Sequence, residues 1–171
     1  ELTISPVYDS DGELINFVGI QQDISDRKEV ENQLIDHHYF GVRNILALRG
    51  DPPDGQTQWT TRQDGYQYAY QLIEQIRKLN EGTYLKREGG PPVTSTPEAT
   101  QFCIGAAAYP DHADFEEGLR FFSEKVRAGA HFGITDVLFD PESYARFRDA
   151  LEKRGQLIPI LPGTRILKSK E

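Results

Sequence analysis

The 171-residue sequence predicts an α/β protein whose parallel strands are joined by crossover helices. Three observations carry that expectation. Short apolar runs at 42–48, 102–108, 132–139 and 157–161 lack alternation, as strands buried on both faces do. Helical spacing of apolar residues marks the segments between them, as with Ala69, Leu72, Ile73 and Ile76. The order strand, helix, strand, helix then persists to the end, which is the pattern of βαβ units.

The elements follow in order. The opening "ELTISPVYDSDGELINFVGIQQDIS" alternates on either side of Asp11-Gly12, a strong signal for an antiparallel β-hairpin. Ser25 or Asp26 then caps a charged linker helix, with Val30, Leu34 and His38 on one face, and Gly41 ends it. The strand at 42–48 breaks into Arg49-Gly50-Asp51-Pro52-Pro53, where prolines stop the strand and glycine permits a close backbone approach. A helix is expected over 64–79. Residues 81–100 are rich in Gly, Pro and Thr and read as a surface insertion. The strand 102–108 ends at Tyr109-Pro110. A helix over 114–128 opens on Asp111, Asp114, Glu116 and Glu117, whose charge suits a helix N-terminus. A strand over 132–139, a helix over 141–153 and a strand over 157–161, stopped by Pro162-Gly163, complete the chain.

Composition narrows the function. A net charge of -8 argues against nucleic acid as partner, because phosphate binding wants clustered Lys and Arg. No apolar run reaches bilayer length, so no membrane partner is expected. Nothing at Glu1 reads as a signal peptide, and a reducing cytoplasm is the default. The single Cys103 offers no disulfide framework and no thiolate metal site, and reads as a small core residue. With no methionine and an opening in mid-pattern, the chain reads as a piece of something longer.

In folds of this class, ligands sit where parallel strands end. Arg49, Asp51, Tyr109, Asp136 and Pro162 all stand at such ends. Each has a plain structural reading beside the functional one. Asp51 caps a turn or pairs with Arg49, and Tyr109 is edge packing. His112 alone means little, His37 and His38 are solvated, and Lys125 complements a helix dipole near its end. There is no phosphate loop, GxGxxG or HExxH. The residues alone support a ligand site at the rim of a βα-fold.

The runs "GVRNILALRGDPPDG", "YQYAYQLIEQIR", "FCIGAAAYPDH", "EKVRAGAHFGITDVLFD" and "PILPG", in that order, resemble the methylenetetrahydrofolate reductase family over about residues 29–171. The resemblance implies a partial (β/α)8 TIM-type barrel with FAD at its C-terminal rim. The implied reaction is reduction of 5,10-methylenetetrahydrofolate to 5-methyltetrahydrofolate with NAD(P)H, a step of one-carbon metabolism and methionine biosynthesis. Matched position by position, Leu48, Arg49, Gly50, Asp51, Tyr68, Ala69, Tyr109, His112 and Lys125 fall on cofactor-binding positions. Lys125 suits the diphosphate or ribose side of FAD. Asp51 is the implied catalytic residue, its charge favouring a cationic form of the folate. Asp136 falls on a substrate-binding position where the family has Gln.

The chain also departs from the family. No segment matches the early strands that bring a proton-donating Glu and a flavin-contacting His, nor the last strand with its folate-binding Arg. The loop after Tyr109-Pro110 is short, an acidic flavin-side position has no equal near Gly118, and Thr164 and Arg165 depart from the pattern. A strand set without its early and final members leaves two edges unpaired, which favours self-association or a complementing chain.

The segment "ISPVYDSDGELINFVGIQQDISDRKEVENQL" resembles the last hairpin and exit helix of a PAS domain of the light-oxygen-voltage type, over about residues 1–36. Gln21 falls on that family's flavin-facing glutamine. The implied division is a PAS-like hairpin at 1–24, a linker helix at 25–41 and a partial reductase-like barrel at 42–171. This leaves an alternative function: a catalytically inactive, flavin-binding or partner-binding regulatory module derived from a PAS sensor fusion.

Overall fold

The computed structural model describes residues 3–8, 14–22, 27–49, 65–86 and 98–165, with the backbone alone at 3–8, 14–22 and Arg49. The chain runs β1 (Thr3–Tyr8), β2 (Leu14–Gln22), α1 (Arg27–Tyr39), β3 (Asn44–Arg49), α2 (Ala69–Asn80), β4 (Cys103–Ala108), α3 (Phe115–Ala128), β5 (Phe132–Val137), α4 (Pro141–Lys153) and β6 (Ile160–Gly163). All six strands form one sheet in chain order. From β2 to β6 the neighbours are parallel, and β1 pairs antiparallel with β2. Right-handed crossovers between strands taken in sequential order put every helix on the same side. That is the winding of a barrel segment; a doubly wound sheet would reverse direction.

Burial follows from this winding. Ile45, Ala47, Ile104, Ala106 and Ala108 point beneath the helices and are fully buried. Leu46, Leu48, Cys103, Ala107, Phe132 and Ile134 point to the other face and are only half-buried. The expectation that each strand is buried on both faces is therefore corrected: the helices cover one face. An apolar run without alternation also arises where the second face lines a barrel interior.

Amphipathic helices close the covered face. Leu72, Ile73, Ile76 and Leu79 of α2, Leu119 and Phe122 of α3, and Phe147 and Leu151 of α4 are buried. The Phe122 and Phe147 rings meet edge to face at 5.5 Å, a favoured aromatic geometry. Gly133 of β5 makes room for them, since a Cβ there would stand 2.8 Å from the Phe122 ring. Asp114 caps α3 by accepting from the Glu117 N–H, and Asp140 caps α4 by accepting from those of Glu142 and Ser143.

Several boundaries differ from the sequence reading. Helix α2 begins at Ala69, five residues late, because Tyr68 is extended and the Gln71 side chain accepts from the Gln67 and Tyr68 N–H groups. Strand β5 stops at Val137, and β6 includes Pro162 and Gly163, which were expected to end it. Proline is tolerated there because β6 is an edge strand. Glu31 is buried in α1, where its Oε2 accepts from Gln75 Nε2 at 2.6 Å and from the Leu85 N–H at 2.8 Å. The start of the expected surface insertion is thus tied to α1, while 87–97 lie outside the described residues. So do the Asp11-Gly12 turn and the Ser25 or Asp26 cap. The expected unpaired edge beside β3 is filled by β2.

His38 is not solvated. Its ring packs edge-on to Phe102 at 5.4 Å. Burial first, and the nearby Arg43 charge second, hold its pKa below the ordinary histidine value. A depressed base favours its neutral form when folded, so this contribution is complete above about pH 6.5. It is lost as pH falls through the lowered folded value.

Two tests follow. Phe147→Ala should cost about 3–5 kcal/mol, read from the urea midpoint, because a buried ring leaves a cavity. Stability of the native chain should fall between pH 7 and pH 5 more steeply than that of His38→Gln; equal slopes would remove the role given to His38.

Candidate functional site

The register of β4 against β5 builds the site. Ala108 pairs with Thr135, which sets Tyr109, just past the end of β4, level with Asp136 in the last two residues of β5. Between the two strand ends lies a hollow of about 170 Å³ lined by Tyr109, Pro110, Asp111, His112, Asp136, Val137 and Leu138. Three residues singled out in the sequence, Tyr109, His112 and Asp136, therefore meet in one place. Tyr109 presents a large aromatic surface, being 47% exposed.

Lys125 approaches the same rim from below. Only 8% exposed, it sends its ammonium to the Ala107 carbonyl at 2.8 Å, 5.4 Å from the centre of the Tyr109 ring. A buried ammonium needs such partners, and an aromatic ring adds attraction. Lys125 lies in the last turn of α3, as the sequence suggested, and its ammonium also reaches the carboxyl end of β4.

His112 is held by its loop. Its Nδ1 lies 2.7 Å from the Asp114 carbonyl oxygen and 3.1 Å from the Asp114 amide nitrogen. Gly118 of α3 admits this loop, since a Cβ there would come within 2.8 Å of the His112 Cβ. Asp136 is exposed, and its Oδ1 accepts from the Val137 N–H at 2.7 Å. Thr135, buried beside it, accepts at its hydroxyl from the Gly163 N–H at 2.8 Å and donates to the Asp136 carbonyl. Strand β6 thereby braces the end of β5.

The other expected site residues lie elsewhere. Leu48 is half-buried near the end of β3, and Arg49 is its last residue. Gly50 and Asp51 lie outside the described residues. Tyr68 stands at the start of α2, its ring stacked on Tyr70 at 5.3 Å and against Phe121 of α3 at 5.9 Å. Ala69 is buried behind it. Neither Tyr68 nor Ala69 lines the hollow. Cys103 sits half-buried on the uncovered sheet face, and burial pushes its thiol pKa up, away from reactivity.

Sequence reasoning missed Asp111, Pro110, Val137 and Leu138 as lining residues. The available signal was position, because each follows a parallel strand end within a few residues. Chemically, the rim offers an aromatic face, a fixed cation and two carboxylates. Such a set suits a flat heteroaromatic ring with an anionic tail nearby. No helix among the described residues is long and apolar enough to cross a membrane.

Residues 21–171 match the family methylenetetrahydrofolate reductase. Methylenetetrahydrofolate reductase 2 of Saccharomyces cerevisiae is 31% identical over 140 residues, covering 78% of this chain and 20% of the relative. Methylenetetrahydrofolate reductase 1 of Schizosaccharomyces pombe is 35% identical over 130 residues, covering 74% and 18%. The 5,10-methylenetetrahydrofolate reductase of Escherichia coli is 35% identical over 132 residues, covering 75% and 36%. The chain thus spans about a fifth of the yeast proteins and about a third of the bacterial one.

Lys125→Met should lower stability by about 1–3 kcal/mol, because the bond from its nearly buried ammonium to the Ala107 carbonyl is lost. Chemical denaturation measures this, and an unchanged midpoint would show that the bond contributes nothing.

Proposed function

The chain belongs to the methylenetetrahydrofolate reductase family, and on that premise we propose that it forms the cofactor-facing part of a flavin-dependent reductase. The reaction is reduction of 5,10-methylenetetrahydrofolate to 5-methyltetrahydrofolate with NAD(P)H. The observation that supports this reading is the union of Tyr109, His112, Asp136 and, beneath them, Lys125 at the adjoining ends of β4 and β5.

These residues fit FAD by their chemistry. Lys125 places a positive charge, held by the Ala107 carbonyl, where an anionic diphosphate is neutralised. Tyr109 offers a ring face for packing against a flat partner. Leu48, Arg49 and Gly50 at the end of β3, with Tyr68 and Ala69 at the start of α2, complete the proposed cofactor contacts. FAD, when bound, supplies the hydride transfer that none of these side chains performs. Asp51 is assigned the electrostatic role: its carboxylate favours positive charge developing on the folate. Asp136 is assigned to substrate, as a hydrogen-bond acceptor at the rim. The half-buried second face of the sheet is where further barrel strands would pack, from the same chain or a complementing one.

Purified chain mixed with FAD and separated from excess cofactor tests the reading. It should be yellow and should bleach on addition of NAD(P)H without oxygen. Colour without bleaching supports a binding module instead, and a colourless folded protein refutes flavin binding. In the Asp51→Ala variant, folate-dependent reoxidation should fall by about 10²-fold while FAD stays bound. Unchanged reoxidation would remove Asp51 from catalysis.

A further inference from the structure

The last turn of α1 is attached to the core differently from the rest of that helix, and a histidine makes the attachment. We infer that His38 is a proton-operated catch that fastens the end of α1 to the start of β4 and releases it in mild acid. The catch lies at the amino-terminal end of the strands, opposite the hollow, and does not depend on the flavin proposal.

Geometry supplies the parts. The buried residues of α1 are Val30, Glu31 and Leu34, which hold its first two turns. Beyond them Tyr39 and Phe40 are exposed, and the His38 ring meets Phe102 edge to face at 5.4 Å. Phe102 is buried and does not follow the helix, because its N–H and its carbonyl are both bonded to the Asn80 side chain at 2.8 Å. The His38 Nε2 is sealed from solvent and has no hydrogen-bond partner among the described residues. Two charges face the ring from neighbouring segments. Arg43, leading into β3, sends its guanidinium to the His38 carbonyl at 2.8 Å, and Glu98, before β4, is a nearby carboxylate. Both side chains belong to exposed residues, where solvent and salt screen them.

A neutral imidazole suits this place and an imidazolium does not. The protonated ring carries an N–H at both nitrogens, so a donor at the sealed Nε2 finds no acceptor, in an apolar contact beside a guanidinium. Burial first and Arg43 second lower the pKa of His38, with Glu98 opposing. Above about pH 6.5 the ring is neutral whether docked or released, and the catch is shut. Below that value the released ring takes a proton before the docked one, so release gains until the docked value is passed. Each unit between the two values is worth about tenfold in the release equilibrium. Only the final turn hangs on His38, so the change is a local opening with the sheet intact. Release bares Phe102 near two aromatic side chains that are already exposed.

Two measurements by NMR on the full chain make the test. The first is the titration of the His38 ring protons. The second is amide exchange between pH 7.5 and pH 5, corrected for its intrinsic pH dependence. The Val42 N–H, bonded to the His37 carbonyl at 2.9 Å, reports the end of α1, and an amide in the middle of α4 is the reference. Opening at Val42 should rise below pH 6.5 by about tenfold for each unit of the measured depression, while α4 stays level. His38→Gln and His38→Phe, neutral throughout this range, should both flatten the rise. A His38 titration at or above pH 6.5, as attraction of the imidazolium to the Phe102 ring would give, overturns the inference. So does a rise that is absent from the native chain, equal in α4, or retained in the variants. Should neither variant fold, the native titration and exchange decide alone.

Discussion

Burial of one sheet face under α2, α3 and α4 is the constraint on which the site depends. Phe122 and Phe147 interlock above Gly133, and that packing presses β4 and β5 together in a single register. Because Ala108 then lies opposite Thr135, Tyr109 past the end of β4 stands level with Asp136 near the end of β5. The loop from Tyr109 to His112 closes the hollow from one side, and the end of β5 closes it from the other.

The uncovered face carries the complementary message. Leu46, Gly105 and Phe132 lie level across three strands, with the Phe132 ring lying over Gly105. Side chains that stack in layers across parallel strands are what a barrel interior contains. In a chain that matches the methylenetetrahydrofolate reductase family, this half-buried layer is consistent with a partial TIM-like sheet. The antiparallel β1 beside β2 is the element that does not belong to that pattern. The family match begins at Gln21, and the PAS likeness of the hairpin before it rests on sequence alone.

Much of this was legible from residues because periodicity and capping act locally. The acidic opening of α3 and the span of α4 were readable from local pattern, while the capping bonds of Asp114 and Asp140 come from the structure. Other features depend on long reach or on neighbours distant in sequence. Lys125 crosses from α3 to β4 through a flexible stem, so its position along the helix says little about where its charge rests. His38 packs on Phe102, 64 positions later, and no helical pattern reports such a partner. Pro162 belongs to a strand because β6 is an edge, a property of the sheet that no local stretch encodes. Gly50 and Asp51 lie outside the described residues, and their assignment comes from family likeness.

Gly163 ties the last strand to the ligand-facing end of its neighbour. A Cβ there would stand 2.7 Å from the Thr135 carbonyl oxygen and 2.9 Å from that of Asp136. Any larger residue would have to pry the edge strand outward, taking its bond to the Thr135 hydroxyl with it. The end of β5 is therefore adjustable from behind: a change at this peripheral glycine would shift Asp136 without altering any residue that lines the hollow.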